Sequence, residues 1–142
     1  HKKGKAIIQT FQPENIILQM ATNYESKRFY NLQLESRKSL NYPPFSRLLR
    51  IICKSKSHKT CESQSIKFFN LLKKECNDFM IGPLPCPIEK ISNYFRYHII
   101  IKIPHKKLRL ILSKIHDIMN NQNILISKNS KILIDMDSNS VL

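Results

Sequence analysis

Glycine is nearly absent from this 142-residue chain, which holds only Gly4 and Gly82. Phosphate-cradling loops need several glycines so that backbone N–H groups can close on the phosphates. With two glycines and no Gly-Lys-Ser or Gly-Lys-Thr run, the chain cannot bind and hydrolyse a nucleotide by that route on its own. Acidic residues are scarce as well. The one close pair with a catalytic look is Asp135 and Asp137, at i and i+2 on one side of the last predicted strand. Such a pair can hold Mg²⁺, but no further acid is predicted beside it, so the two read as solvated carboxylates at a strand end. The four cysteines, Cys53, Cys61, Cys76 and Cys86, include no Cys-x-x-Cys pair. Close spacing of that kind is what a zinc ribbon or a redox motif requires. They read as reduced thiols in a cytosolic protein. No Ser/His or Cys/His spacing is diagnostic of a nucleophile pair. There is no run of about eighteen apolar residues to span a bilayer, and no stretch reads as a signal peptide.

What is present is positive charge: 24 Lys and Arg against 10 Asp and Glu, a formal net charge of +14. Charge so far from neutral opposes compaction and fits a polyanionic partner, nucleic acid first. Lys, Asn and Ile are all abundant, so part of the lysine count reflects composition. Hydrophobic residues make up 42% of the chain, enough for a real core. The length suits one domain, or one domain with a piece of another. The first residue is His1, and the chain reads as part of a larger functional unit.

Taken in order, Lys5–Thr10 reads as a short buried strand. Pro13 suits the first position of a helix carrying Ile16, Ile17 and Met20. Asn23 suits the cap of a second helix starting near Tyr24, with Phe29 and Leu32 on one stripe. Tyr42-Pro43-Pro44-Phe45 stops that helix, because a residue before proline is driven out of the helical region. This marks a domain boundary, dividing 1–41 from 42–142. Arg47–Lys54 is a strand with Leu49, Ile51 and Cys53 on one face and Leu48, Arg50, Ile52 and Lys54 on the other. A helix over 60–76 places Ile66, Phe69, Leu72 and Cys76 at core spacing. Phe79–Ile81 starts a strand that the prolines at 83, 85 and 87 interrupt. Proline cannot donate to a ladder, so this stretch belongs at an edge or crossover. Gly82 takes a backbone angle other residues resist. Ile88–Ser92 and Phe95–Ile103 form a hairpin turning at Asn93-Tyr94. A helix over 105–119 carries Leu108, Ile111, Leu112, Ile115, Ile118 and Met119 as its apolar stripe. An Asn/Ser-rich stretch, 120–129, leads to a last strand, Lys131–Asp137.

From Arg47 the order is strand, helix, strand, strand, helix, strand, the split βαβ or ferredoxin-like order of an α+β fold. Its first and third strands are central neighbours, and its helices cover one face. If Leu49, Ile51, Ile99 and Ile101 face the helices, then Arg50, Lys54, Arg96, His98 and Lys102 gather on the open face. Phe95 and Tyr97 are assigned to packing. Tyr94 and Arg96, at the hairpin turn beside other cations, are assigned to nucleic acid, the ring to stack on a base and the cation to meet phosphate. Lys106, Lys107 and Arg109 sit at a helix N-terminus, where their charge adds to the dipole and makes an anion site. A phosphate or an acidic peptide tail fits it equally well.

Gly4…Ile7-Ile8-Gln9-Thr10, a helix with Phe29 and Glu35…Arg37, Tyr42-Pro43-Pro44-Phe45, Gly82-Pro83-x-Pro85-x-Pro87, Tyr94-x-Arg96-x-His98 and Ile134-Asp135-x-Asp137 follow one another in this order. Together they resemble the C-terminal part of the primosomal protein N′ (PriA) family, the bacterial replication-restart DNA helicases. Ser138 departs from that pattern, which tends to have Pro there, and Lys3-Gly4-Lys5 is unusually basic. The resemblance implies that 1–41 is the last strand and exit helices of a RecA-like second helicase lobe, and that 42–142 is a C-terminal α/β domain similar to ribosomal S10. It implies that the ATP, Mg²⁺ and Zn²⁺ sites lie upstream, leaving this piece non-catalytic. It implies a cytoplasmic, nucleoid-associated bacterial helicase that unwinds branched forks 3′→5′ and starts primosome assembly. The implied partners are branched and single-stranded DNA, other primosome proteins, and the acidic C-terminal tail of single-stranded DNA-binding protein. For that tail Lys106 and Lys107 are the candidates. The alternative is an independent RNA-binding or ribosome-associated basic module using the same sheet face.

Overall fold

The computed structural model describes residues 4–120 and 130–137, in two units, His1–Ser39 and Leu40–Leu142. The Asn/Ser-rich stretch 121–129 and Ser138 lie outside the described residues.

The first unit is a helical pair, α1 (Ile16–Thr22) and α2 (Ser26–Ser39). Asn15 caps α1, its side-chain oxygen accepting from the Ile17 N–H at 2.9 Å. Pro13 is therefore in the turn before the cap and not in the helix. Asn23, expected to open the second helix, closes the first. The reason is Tyr24, which follows at φ 57 and reverses the chain between the helices. The strand expected at 5–10 does not form. A strand exists only as part of a ladder, and among the described residues this unit supplies no neighbour; Ile7 is 84% exposed.

The second unit contains β1 (Ser46–Ser55), α3 (His58–Cys76), β2 (Met80–Ile91), β3 (Tyr94–Pro104), α4 (Leu108–Asn120) and β4 (Ser130–Met136). The strands form one antiparallel sheet in the order β2-β3-β1-β4. This is the split βαβ arrangement, with the first and third strands central. Leu49, Ile51, Ile99 and Ile101 point to one face, fully buried against Phe68 and Leu72 of α3 and Ile111 and Ile115 of α4. The expected stripe of α3 holds at Leu72 and Cys76 and fails at Ile66. Cys61, Ser65, Phe68, Leu72 and Cys76 are buried, whereas Ile66 is 44% exposed and Phe69 half-buried. Small residues at 61 and 65 let the helix approach the sheet along that line. Cys61 donates its S–H to the carbonyls of Cys53 (3.2 Å) and Phe95 (3.3 Å). All four cysteines are free and buried. Burial pushes the Cys53 thiol up to about 12 and the Cys76 thiol to about 11, so neither offers a thiolate.

β2 is an edge strand that carries the prolines, and its pairing with β3 slips between Ile81 and Leu84 and again between Pro85 and Lys90. Gly82 makes the first slip possible. It has φ 111, and a Cβ there would stand 2.8 Å from the His98 carbonyl oxygen. The hairpin turns at Ser92-Asn93, one residue before the expected place, leaving Tyr94 paired with Ile91 inside the ladder. Ser92 (φ 49) and Asn93 (φ 65) both take the left-handed angles that a two-residue hairpin of type I′ demands. α4 starts at Leu108, after a single 3₁₀ turn over His105–Lys107.

Candidate nucleic-acid interface

The face away from the helices was expected to hold Arg50, Lys54, Arg96, His98 and Lys102 as one open basic patch. It divides into three parts.

The middle is closed. Leu48, Arg50, Ile52 and His98 are all less than a tenth exposed. The Arg50 guanidinium lies along the sheet, with Nη2 3.2 Å from His98 Nδ1 and 3.9 Å from the sulfur of Cys86. Cys86 belongs to the irregular proline segment of β2, and it is itself 3% exposed. A long apolar stem favours lying flat on such a surface, and the slipped strand supplies the groups that cover the head. Burial, then the charges of Arg50 and Arg96, hold the His98 imidazole below its ordinary value. A neutral ring accepting from Arg50 suits that setting. Neither Arg50 nor His98 is placed to meet a phosphate, so both belong to the support of the sheet.

One end is occupied by the chain itself. Lys102 Nζ donates to the Leu40 carbonyl at 3.0 Å and stands 4.0 Å from the centre of the Tyr42 ring. It ties the segment before β1 to β3. Arg47, beyond it, pairs with Asp137 at the end of β4, and the Asp137 carboxylate also accepts from the Leu48 N–H at 3.1 Å. The hydrogen bond from Arg47, above all, lowers the pKa of that carboxyl. Asp137 is thus a strand clasp. Among the described residues no group of three or more His, Cys, Asp or Glu is placed to hold a metal ion.

The other end is open and basic. Antiparallel register sets Lys54 of β1 opposite Arg96 of β3 on one side and opposite Lys131 of β4 on the other. Directly opposed residues have Cβ atoms about 4.5–5.5 Å apart, where like charges destabilise a sheet. No acid offsets them: among the described residues none of the three makes an ion pair. They line a depression of about 280 Å³ whose other walls are Tyr94, Ile91 and Ser92. Lys131 Nζ stands 5.8 Å from the centre of the Tyr94 ring. Arg96 is anchored by a long bond from Nη1 to the Ile88 carbonyl, 3.4 Å, while its Nε has no hydrogen-bond partner among the described residues. Tyr97 and Phe95 point the other way, toward Cys61 and His58, with the Tyr97 hydroxyl 3.2 Å from His58 Nε2.

Three of the six residues proposed from the sequence, Lys54, Tyr94 and Arg96, thus meet in one place. Lys131 was missed. The strand carrying it was expected, but only the register of β4 on β1 puts it beside Lys54, and periodicity does not encode register. Lys106, Lys107 and Arg109 are exposed on the 3₁₀ turn and first turn of α4. Lys107 Nζ lies 5.1 Å from the centre of the Phe79 ring. No helix of the described residues is long and apolar enough to cross a membrane.

Comparison with known proteins agrees with the motifs. Residues 38–139 match the family described as the primosomal protein N C-terminal domain. Among individual proteins, the replication restart protein PriA of Thermotoga maritima is 35% identical over 100 residues, 70% of this chain and 13% of its own length. That of Borreliella burgdorferi is 30% identical over 133 residues, 92% of this chain and 19% of its own. That of Bacillus subtilis is 27% identical over 139 residues, 96% and 17% respectively. The chain therefore spans less than a fifth of the length of these relatives. By the extent of the family match, the chain belongs to the primosomal protein N family and carries its C-terminal domain.

Proposed function

We propose that this chain is the DNA-contacting and partner-docking module of a replication-restart protein. In this reading the full protein is an ATP-dependent 3′→5′ helicase acting at stalled or branched forks, with its ATP, Mg²⁺ and Zn²⁺ sites outside these 142 residues. The observation that carries the reading is the trio Lys54, Arg96 and Lys131, set on opposed strand positions with no acid to neutralise them. Such an arrangement works against folding and suits a polyanion. The names of the relatives support the choice of DNA replication as the setting.

Arg96→Ala tests the DNA contact. Each phosphate contact contributes about 0.7 to the slope of log affinity against log salt on single strands. Fluorescence anisotropy with a labelled DNA strand should show the slope fall by about that amount in the variant; an unchanged slope removes Arg96 from the DNA surface. The second cluster, Lys106, Lys107 and Arg109, is assigned to the acidic tail of single-stranded DNA-binding protein. Titration of an acidic tail peptide should give weaker binding to Lys106→Glu than to the parent chain, and equal affinity would refute the docking site.

A further inference from the structure

The depression at the hairpin end has a composition that plain backbone binding does not require. A phosphate needs donors and positive charge; Lys54, Arg96 and Lys131 supply both. Yet the same hollow is walled by the ring of Tyr94 and the side chain of Ile91, with the Ser92 side chain beside them. Apolar and aromatic walls add nothing to a phosphate, but they accept the face of a base. We infer that this hollow is a pocket for one unpaired DNA nucleotide, its base on Tyr94 and its phosphate among the three cations. The inference rests on the nucleic-acid reading above and narrows it.

Three features point the same way. The cations converge on one hollow, whereas contacts to a duplex backbone follow a row of phosphates along a convex rod. The volume, about 280 Å³, is at the lower limit of small-ligand sites, on the order of 300 Å³, which suits a single nucleotide. The bases of a duplex are stacked on one another and cannot present a face to a side chain, so an aromatic wall selects a strand that is unpaired at that point. The geometry of the turn places the ring there. Ser92 and Asn93 reverse the chain in two residues, and Tyr94 is the first residue of β3, at the lip of the hollow. Arg96, on the same face of β3 two residues on, is anchored on the Ile88 carbonyl at 3.4 Å and lines the hollow beside it. A nucleotide bound here would mark the place where a strand leaves a duplex.

The test uses the full chain with four probes: labelled oligothymidine, a blunt duplex of the same length, the duplex carrying a single-stranded extension, and oligouridine. Tyr94→Ala should weaken oligothymidine and the extended duplex by about 5- to 160-fold, the worth of one stacked base, with the blunt duplex changed by less than about twofold. Tyr94→Phe, which keeps the ring, should restore parent affinity. Equal loss on the single strand and the blunt duplex would overturn the pocket while leaving DNA binding standing. Loss in Tyr94→Phe as large as in Tyr94→Ala would overturn stacking. Tighter binding of oligouridine than of oligothymidine would overturn the assignment to DNA. No binding of any probe by the parent chain would instead overturn the nucleic-acid reading itself.

Discussion

Substituting Gly82 tests how the edge strand is held against the sheet. The perturbation is Gly82→Ala. At φ 111 the residue occupies backbone space that L side chains resist, a cost of about 1–3 kcal/mol. The added Cβ would also stand 2.8 Å from the His98 carbonyl oxygen. That oxygen is backbone in a central strand, so it cannot swing away as a side-chain tip would. Relief requires β2 to move off β3, a further cost of about 1–3 kcal/mol, as for an overpacked core. The expected loss is about 2–6 kcal/mol in total, against a typical domain stability of about 5–15 kcal/mol. Urea unfolding followed by circular dichroism reads it directly. The midpoint should fall while the slope with denaturant stays constant, since the same surface is exposed on unfolding. A loss below about 0.5 kcal/mol, the level of an ordinary surface change, would refute the close approach of β2 to β3 at this point.

Two further outcomes follow from the core and from the closed part of the sheet. Phe68→Ala should cost about 3–5 kcal/mol by leaving a cavity under the sheet, whereas Ile66→Ala should cost less than about 1 kcal/mol, because much of that side chain is already in water; similar losses in denaturant midpoints would contradict the helix orientation. His98 should make stability fall on acidification. Its folded pKa is lowered by burial and by Arg50 and Arg96, so the stability it contributes is complete above its unfolded value near 6.5 and is lost as pH drops toward the folded one. The slope from this one group is at most about 1.4 kcal/mol per pH unit, and His98→Gln should remove that part of the pH dependence; a profile identical to that of the parent between neutral and mildly acid pH would contradict it.

The sheet and its helices were legible because apolar runs and stripes mark the buried elements. β1 and β3 carry central apolar runs, Leu48-Leu49, Ile51-Ile52-Cys53 and Ile99-Ile100-Ile101, α4 carries an apolar stripe, and the order of the elements leaves few topologies to choose from. The helix stripe of α3 was harder. Its line of contact runs through Cys61 and Ser65, small residues that look unremarkable beside Ile66 and Phe69, yet small side chains are what allow close packing. The open face was misjudged for a related reason. Alternation assigns Arg50 and His98 to the face away from the helices, correctly, but says nothing of what lies over that face. Only the two slips of β2 bring Cys86 across to cover them. Lys102 had the right face too, but a carbonyl and a ring from the segment before β1 engage it. Lys131 is the opposite case, a residue with no local signal that register alone recruits. The absent strand at 5–10 shows the same limit, since an apolar run becomes a strand only beside a partner.

The proposed contact surface is most directly tested by comparing two triple substitutions. In one, Lys54, Arg96 and Lys131 are all changed to Ala; in the other, Lys106, Lys107 and Arg109 are. Both remove three positive charges, so the overall charge of the chain changes equally. Affinity for a single DNA strand is measured over a range of salt. Three phosphate contacts at about 0.7 each predict a slope smaller by about 2 in the first variant, with the second close to the parent. Equal slopes in the two variants, or a larger loss in the second, would contradict the placement of the DNA contact at the hairpin end of the sheet.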